Sequence, residues 1–251
     1  MSSLQIASII LACVFGGALL GIGLRTMIPE PHLSADTRDA IKLAVGIVAT
    51  MSALILGLLV SSAKTSFDTS AAEISQLSAD LILLDRQLVH YGPGANDIRD
   101  VLRRYIEYKI NATWRGEASS PPDPGGWKLL EDVQDGLRAL RPADDAQRWL
   151  QSRALQISGE IAHVRWLQRA QQAGSSIPTP FIVILVVWLT IVFMSFGLFA
   201  PRNTTVVVAF FACALSVSGS IFLILELESP FDGMIRVSSA PMRAVLVELG
   251  R

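Results

Sequence analysis

Four stretches of this chain run for about twenty residues without one Lys, Arg, Asp or Glu: 4–24, 43–62, 181–200 and 205–225. As helices rising about 1.5 Å per residue, each can cross a hydrocarbon core roughly 30 Å thick. The pattern predicts an all-α integral membrane protein with four transmembrane helices. The first stretch reads as a retained helix, not a cleaved signal. Its flank, MSSLQ, has no basic residue, and the run exceeds the roughly 7–15 apolar residues of a signal core. Ser34 or Asp36 is a candidate cap for the second span. Pro201 and Asn203 predict a tight hairpin between the last two.

Between the second and third spans the pattern changes period. Ile74, Leu77, Leu81, Leu84 and Leu88 alternate three and four apart, which is one buried stripe on a helix. YGPG at 91–94 stops that helix. A second helix is expected from Asn96 to about Ala112, with Ile98, Leu102 and Tyr105 on one face. After the loop GEASSPPDPGG a short helix turns Leu130, Val133, Leu137 and Leu140 inward. A last helix over about 144–172 aligns Leu150, Ala154, Ile157, Ile161 and Val164. The expected organisation is therefore a first helix pair (1–62), a helical domain outside the membrane (63–177), a second helix pair (178–228) and an amphipathic tail (229–251). That tail is expected on the membrane surface or over a neighbouring subunit.

Two pairs of spans return the chain to its starting side, so both termini and the middle domain share a side. Near the membrane ends that side carries Lys64, Arg165, Arg169, Arg236 and Arg243. The other carries Arg25, Arg38, Lys42 and Arg202. Five against four favours a cytoplasmic side for the middle domain by the positive-inside rule.

Composition agrees with this and narrows the chemistry. The 251 residues are 51% hydrophobic and 17% charged, which is unlike an ordinary soluble domain. A net charge of −1 without a basic block excludes nucleic acid as a partner. Cys13 and Cys213 both lie in apolar runs and read as small fillers. His32, His90 and His163 form no HExxH or closely spaced ligand set, and no phosphate-cradling glycine motif is present. Asp123, Asp144 and Asp145 do not make a calcium loop; the last two fit a helix start. No cofactor, no metal and no catalytic activity are expected.

Lipid gives helices no hydrophobic reason to associate, so small residues that permit close contact mark packing faces. Gly17 and Gly21 form such a stripe in the first span. Ala49, Ala53 and Gly57 form one in the second, and Ala212, Ser216 and Ser220 one in the fourth. They serve either the chain's own bundle or a symmetry-related subunit. In the second span Ile55, Leu58 and Leu59 are bulky enough to constrict a pore. In LLDRQLVHYGP (83–93), Asp85 or Arg86 is expected to pair with charges of RDVLRRY (99–105). At the end of the fourth span come Glu226 and Glu228, then Pro230, Phe231, Asp232 and Gly233. The carboxylates are expected at the interface, where charge can snorkel or pair. Glu226, Glu228 and Asp232, with Arg165 and Arg169, are candidate charges of a pore vestibule or of a structural interface.

The segments KLAVGIVATMSALILGLLVSSAKTSFD (42–68), LDRQLVHYGP (84–93), SGEIAHVRW (158–166), FMSFGLFAPRNTTVVVAFF (193–211) and SIFLILELESPFDGMIRVSSAPMRAVL (220–246) resemble a bacterial bestrophin-like family of unknown function. They cover nearly the whole chain in order. The more distant resemblance to bestrophins proper implies four spans, cytoplasmic helices between the second and third, and a pentamer around an anion-selective pore. Bestrophins follow a Pro-Phe with an acidic run that binds calcium. Here Pro230-Phe231 precedes DGMIRV, where only Asp232 is acidic, so the chain departs from that clasp. The expected function is an oligomeric, channel-like membrane protein passing small inorganic ions. The alternative is a membrane-anchored sensor or scaffold whose helical domain binds a partner.

Overall fold

The computed structural model describes residues 2–27, 35–114, 124–172 and 179–250. Every regular element among them is helical: α1 (Ser3–Leu24), α2 (Ala35–Tyr91), α3 (Asn96–Trp114), α4 (Pro124–Ala139), α5 (Asp145–Gln172), α6 (Thr179–Phe199), α7 (Thr204–Leu227) and α8 (Ala240–Leu249). Four of them are long and apolar enough to span a membrane: α1, α2, α6 and α7. The helical domain between the second and third spans is α3 to α5 together with the far part of α2. The chain forms two compact units, 1–66 with 176–228, and 67–175 with 229–251.

α2 carries both the expected second span and the first stripe of the middle domain. It is one helix of 57 residues, about 85 Å long. No proline occurs between Pro31 and Pro93 and no glycine between Gly57 and Gly92, so nothing in the backbone chemistry interrupts it. It stops at Gly92, whose φ of 103° lies where a side chain would be strained, followed by Pro93. Side-chain caps start two later helices. The Asn203 side chain accepts the Val206 N–H at 2.9 Å to start α7, and Asp144 accepts the Gln147 N–H at 2.7 Å to start α5.

In the membrane unit α1 and α6 pack at backbone distance. A Cβ placed on Gly17 would sit 2.8 Å from Thr190 Cγ2, one on Gly21 would run into the Met194 carbonyl, and one on Gly197 into the Ala18 carbonyl. Numbers rise together along both helices, so α1 and α6 are parallel. α7 is antiparallel to α1: the Ser218 hydroxyl donates to Ala7 O at 2.6 Å, and Phe15 meets Phe211 edge to face at 5.3 Å. Arg38, at the start of α2, donates to Phe199 O at the end of α6, so α2 also runs antiparallel to α6. Ser3, the exit of α2, the entry of α6 and Leu227 therefore share one end of the unit.

The helical unit buries the residues the periodicity marks. Ile74, Leu77, Leu81, Leu84 and Leu88 of α2 join Ile98, Leu102 and Tyr105 of α3, Leu130, Val133 and Leu137 of α4, and Ala154, Ile157 and Ile161 of α5. The C-terminal stretch completes this core, with Val237, Met242, Val245 and Leu249 buried in it. The apolar stripe of α8 is thus consumed within the chain, where the sequence suggested a membrane-surface tail. Trp114 Nε1 donates to Val237 O at 2.8 Å and its ring meets Phe231 edge to face, fixing the turn that leads to α8.

The glycine contact makes a sharp prediction. Gly21→Ala must push two backbones apart and is expected to lower unfolding stability in detergent by about 1–3 kcal/mol. Gly16→Ala, with open space around the added methyl, is expected to leave it unchanged or slightly raised. Thermal melts of the two variants check this.

Candidate functional site

Of the four spans, α2 is the least covered inside the chain. Within its most apolar 18-residue window only 6% of positions are buried, against 33% in α1. Val45 and Ser52 are its buried contacts in the span, with Ile41, Val48, Ala49, Ile55, Leu56 and Leu59 partly covered by α1, α6 and α7 neighbours. Two faces are left open. One is large and apolar: Leu43, Ile47, Met51, Leu54 and Leu58. The other is small and partly hydroxylated: Gly46, Thr50, Ala53, Gly57 and Ser61. Thr50 Oγ1 donates back to Gly46 O at 2.9 Å, so its hydroxyl is satisfied on its own helix.

These faces sort the expected pore and packing residues. Ile55 and Leu59 turn toward the chain's own apolar cluster, whereas Leu58 is 69% exposed. Ala53 and Gly57 are exposed and Ala49 is half-buried. In α7 Ala212 and Ser216 are exposed and Ser220 half-buried, while the packed row is Ala214, Ser218 and Ile221. Small residues occupy both rows, so the sequence alone could not say which one α1 would take. Gly197 escaped notice because it sits in an otherwise bulky span, GLFAP following aromatic residues.

The expected vestibule charges fall in different places. Glu226 is buried in the last turn of α7 and is not left without an interaction partner. Glu228 caps α7, its N–H bonded to Ile224 O at 3.0 Å. Asp232 lies in the following turn, its N–H bonded to Ser229 O at 3.1 Å. Arg165 in α5 donates to Gly126 O at 2.7 Å, which ties α5 to the start of α4. The side chain of Arg169 lies outside the described residues.

The helical unit contains one well-built charge cluster. Asp85 is buried and receives Arg99 Nε at 2.7 Å and Arg99 Nη2 at 3.3 Å. Arg99 Nη2 also donates to Leu249 O at 3.3 Å, and Arg86 pairs with Glu248 at 3.2 Å, so the last two residues of α8 are both tied back. Beside the pair is a polar recess of about 320 Å³ lined by Asp85, Asn96, Arg99, Asp100, Arg103 and Leu249. Among the described residues no group of three or more His, Cys, Asp or Glu is placed to hold a metal. A second acid, Asp80, is buried on α2 and accepts from Gln76 at 2.9 Å. Burial pushes its carboxyl above the usual range; the Gln76 bond opposes this and Glu160 of α5 adds to it.

Two predictions follow from these charges. Arg99→Met leaves Asp85 buried without its counter-charge and is expected to cost the helical unit about 3–5 kcal/mol, whereas Arg103→Met breaks only an exposed pair and costs less than about 1 kcal/mol. Denaturant unfolding followed by hydrogen exchange over α3 checks both. For Asp80 the folded pKa lies above the unfolded value of 3.8, so its stabilising contribution is present below that pH and is lost as pH rises through the folded pKa. Asp80→Asn is therefore expected to gain stability relative to the unmodified protein across that window, measured as the difference between their melting temperatures against pH.

A family model described as the bestrophin-like domain matches residues 12–242. Among solved structures the chain is similar to a bacterial bestrophin homologue from Klebsiella pneumoniae carrying a tryptophan-to-alanine mutation, with 16% identity, a TM-score of 0.68, and 99% of this chain and 97% of that one covered. A tyrosine-to-alanine variant of a bestrophin homologue from the same organism gives 18% identity and a TM-score of 0.65, with 97% of each chain covered. A membrane protein with a proline-to-alanine mutation gives 16% and 0.65, over 97% of this chain and 96% of that one. At these identities the likeness carries the fold. Among curated proteins no relative matches. Four apolar spans, a helical domain between the second and third, and a family match over most of its length place this chain in the bestrophin-like family.

Proposed function

We propose that this protein is a channel-like, non-catalytic membrane protein that assembles as a ring of like subunits, with five as the expected number, around an axial path for small inorganic anions. The observation that carries this reading is the uncovered membrane part of α2. An apolar helix face can simply meet lipid. Glycine and alanine offer lipid little contact, however, and their use is to let another helix approach. The row Gly46, Thr50, Ala53, Gly57 and Ser61 suits contact with a second copy, and the adjacent row containing Leu54 and Leu58 is then available to the axis. Ring closure would give every subunit the same neighbour on each side.

Passive conduction needs a path and a gate, and no energy-coupling group. In this reading Leu58 narrows the path and excludes water when the constriction is dry. Ile55 and Leu59 support α2 from behind. The helical unit and both termini are placed in the cytoplasm of a bacterial inner membrane by the Lys and Arg distribution.

The sensor or scaffold reading draws on the polar recess beside Asp85 and Arg99, which could hold a small polar ligand with no ion path at all. Chloride flux from proteoliposomes containing the purified full chain separates the two. Leu58→Ser is expected to raise flux several-fold by wetting the constriction, while Ile55→Ala lowers stability with less effect on flux. A stable oligomer with no flux in either form would reject the channel and favour the scaffold.

A further inference from the structure

At the opposite end of the membrane unit from Ser3, three guanidinium groups converge on one small area. Arg25, just after α1, donates through Nη1 to Ala200 O at 2.6 Å. Arg38, in the first turns of α2, donates through Nη2 to Phe199 O at 3.0 Å, with its Cζ 5.6 Å from the Phe199 ring centre. Arg202, in the α6–α7 turn, donates through Nη2 to Ile22 O at 3.2 Å. Their acceptors are adjacent carbonyls at the end of α6 and one at the end of α1, and these two ends are parallel and in backbone contact. Three arginines from three segments therefore meet at the level where the apolar spans stop.

Carbonyls orient these groups and do little to neutralise them. Each helix C-terminus contributes about half a negative charge, against three full positive charges. Among the described residues, Asp39 pairs with Lys42 at 3.3 Å, and Asp36 sits in the first turn of α2, where a carboxylate meets the helix start. A guanidinium has five N–H donors, so donors remain on each arginine after its carbonyl bond. Arg202 is exposed and Arg25 half-buried, which leaves the cluster open to the headgroup layer. Within two turns toward the membrane from Arg25, Leu20 and Leu24 lie one turn apart on one face of α1 and are exposed, a surface suited to an acyl chain.

We propose that Arg25, Arg38 and Arg202 form a binding site for the phosphodiester headgroup of an anionic phospholipid, with an acyl chain lying along Leu20 and Leu24. Planar forks match phosphate oxygens in pairs, which a lysine cluster would not do. Basic pockets between membrane helices are known to hold anionic headgroups. The apolar surface below the cations selects a lipid over a free phosphate. This site needs no pore and stands apart from the functional reading above.

Native mass spectrometry of the purified full chain, exchanged into an equal mixture of phosphatidylglycerol and phosphatidylcholine, tests it. The unmodified protein is expected to retain phosphatidylglycerol preferentially, and Arg25→Gln/Arg202→Gln to lose that preference by about 25-fold, since each basic residue near an anionic headgroup contributes about fivefold. Arg202→Lys is expected to keep part of it. Should the double variant misfold, Arg202→Gln alone, at an exposed position, and the loss of preference with rising sodium chloride give the same reading. An unchanged preference in a folded Arg202→Gln or double variant overturns the site. Displacement of the lipid by millimolar inorganic phosphate overturns the lipid assignment in favour of a free-anion site.

Discussion

The membrane unit depends on one contact, the approach of α1 to α6 at Gly17, Gly21 and Gly197. Inside lipid no hydrophobic force brings these helices together, because a leucine is as well solvated by acyl chains as by protein. Close packing and the few available hydrogen bonds have to suffice. Glycine removes the Cβ that would hold the backbones apart, and Gly21 and Gly197 each rest against a carbonyl of the opposite helix. That contact sets the parallel direction of α1 and α6. It also brings the carbonyls of Ile22, Phe199 and Ala200 side by side, so that Arg25, Arg38 and Arg202 can use them. α7 is then added antiparallel through Ser218 and Ala7, where a hydroxyl finds its acceptor on the neighbouring backbone.

The helical unit is held by ordinary aqueous physics. Its core is a stripe from each of α2, α3, α4 and α5, closed by residues 237–249 from the far end of the chain. The closing segment is not held by burial alone. Trp114, Arg99 and Arg86 bond to Val237, Leu249 and Glu248, so three points along it are tied by polar contacts. The buried Asp85 gives Arg99 a fixed place, and Arg99 in turn reaches the last turn of α8. Removing one member of such a pair is costly because the other stays buried.

α2 is the element on which the proposed function turns. It belongs to both units as one helix, yet its membrane part is the least covered of the four spans. Its open faces are chemically distinct, one large and apolar and one small and hydroxylated. Lipid alone would not require that distinction, while a ring of identical chains would use both. The same faces separate Leu58 from Ile55 and Leu59, which are close in sequence and look alike in composition.

Much of this was legible from residues alone, and for a local reason. A twenty-residue stretch without charge is a span wherever it occurs, and the three-four spacing of Ile74 to Leu88 or of Leu130 to Leu137 states which side of a helix is buried against water. The order of the helices and the pairing of Asp85 with a charge of 99–105 were likewise readable. What the tertiary structure decided is which face of each span meets which neighbour. Hydropathy is nearly uniform around a lipid-embedded helix, so it cannot distinguish Ala214 and Ser218 from Ala212 and Ser216, or mark Gly197 as the partner of Gly17 and Gly21. The docking of α8, the burial of Glu226 and the meeting of three arginines on carbonyls of α1 and α6 also required distant segments, up to about two hundred residues apart for the arginines, to be placed together. Those contacts arise from shape and direction, which are properties of the folded chain and of no single stretch within it.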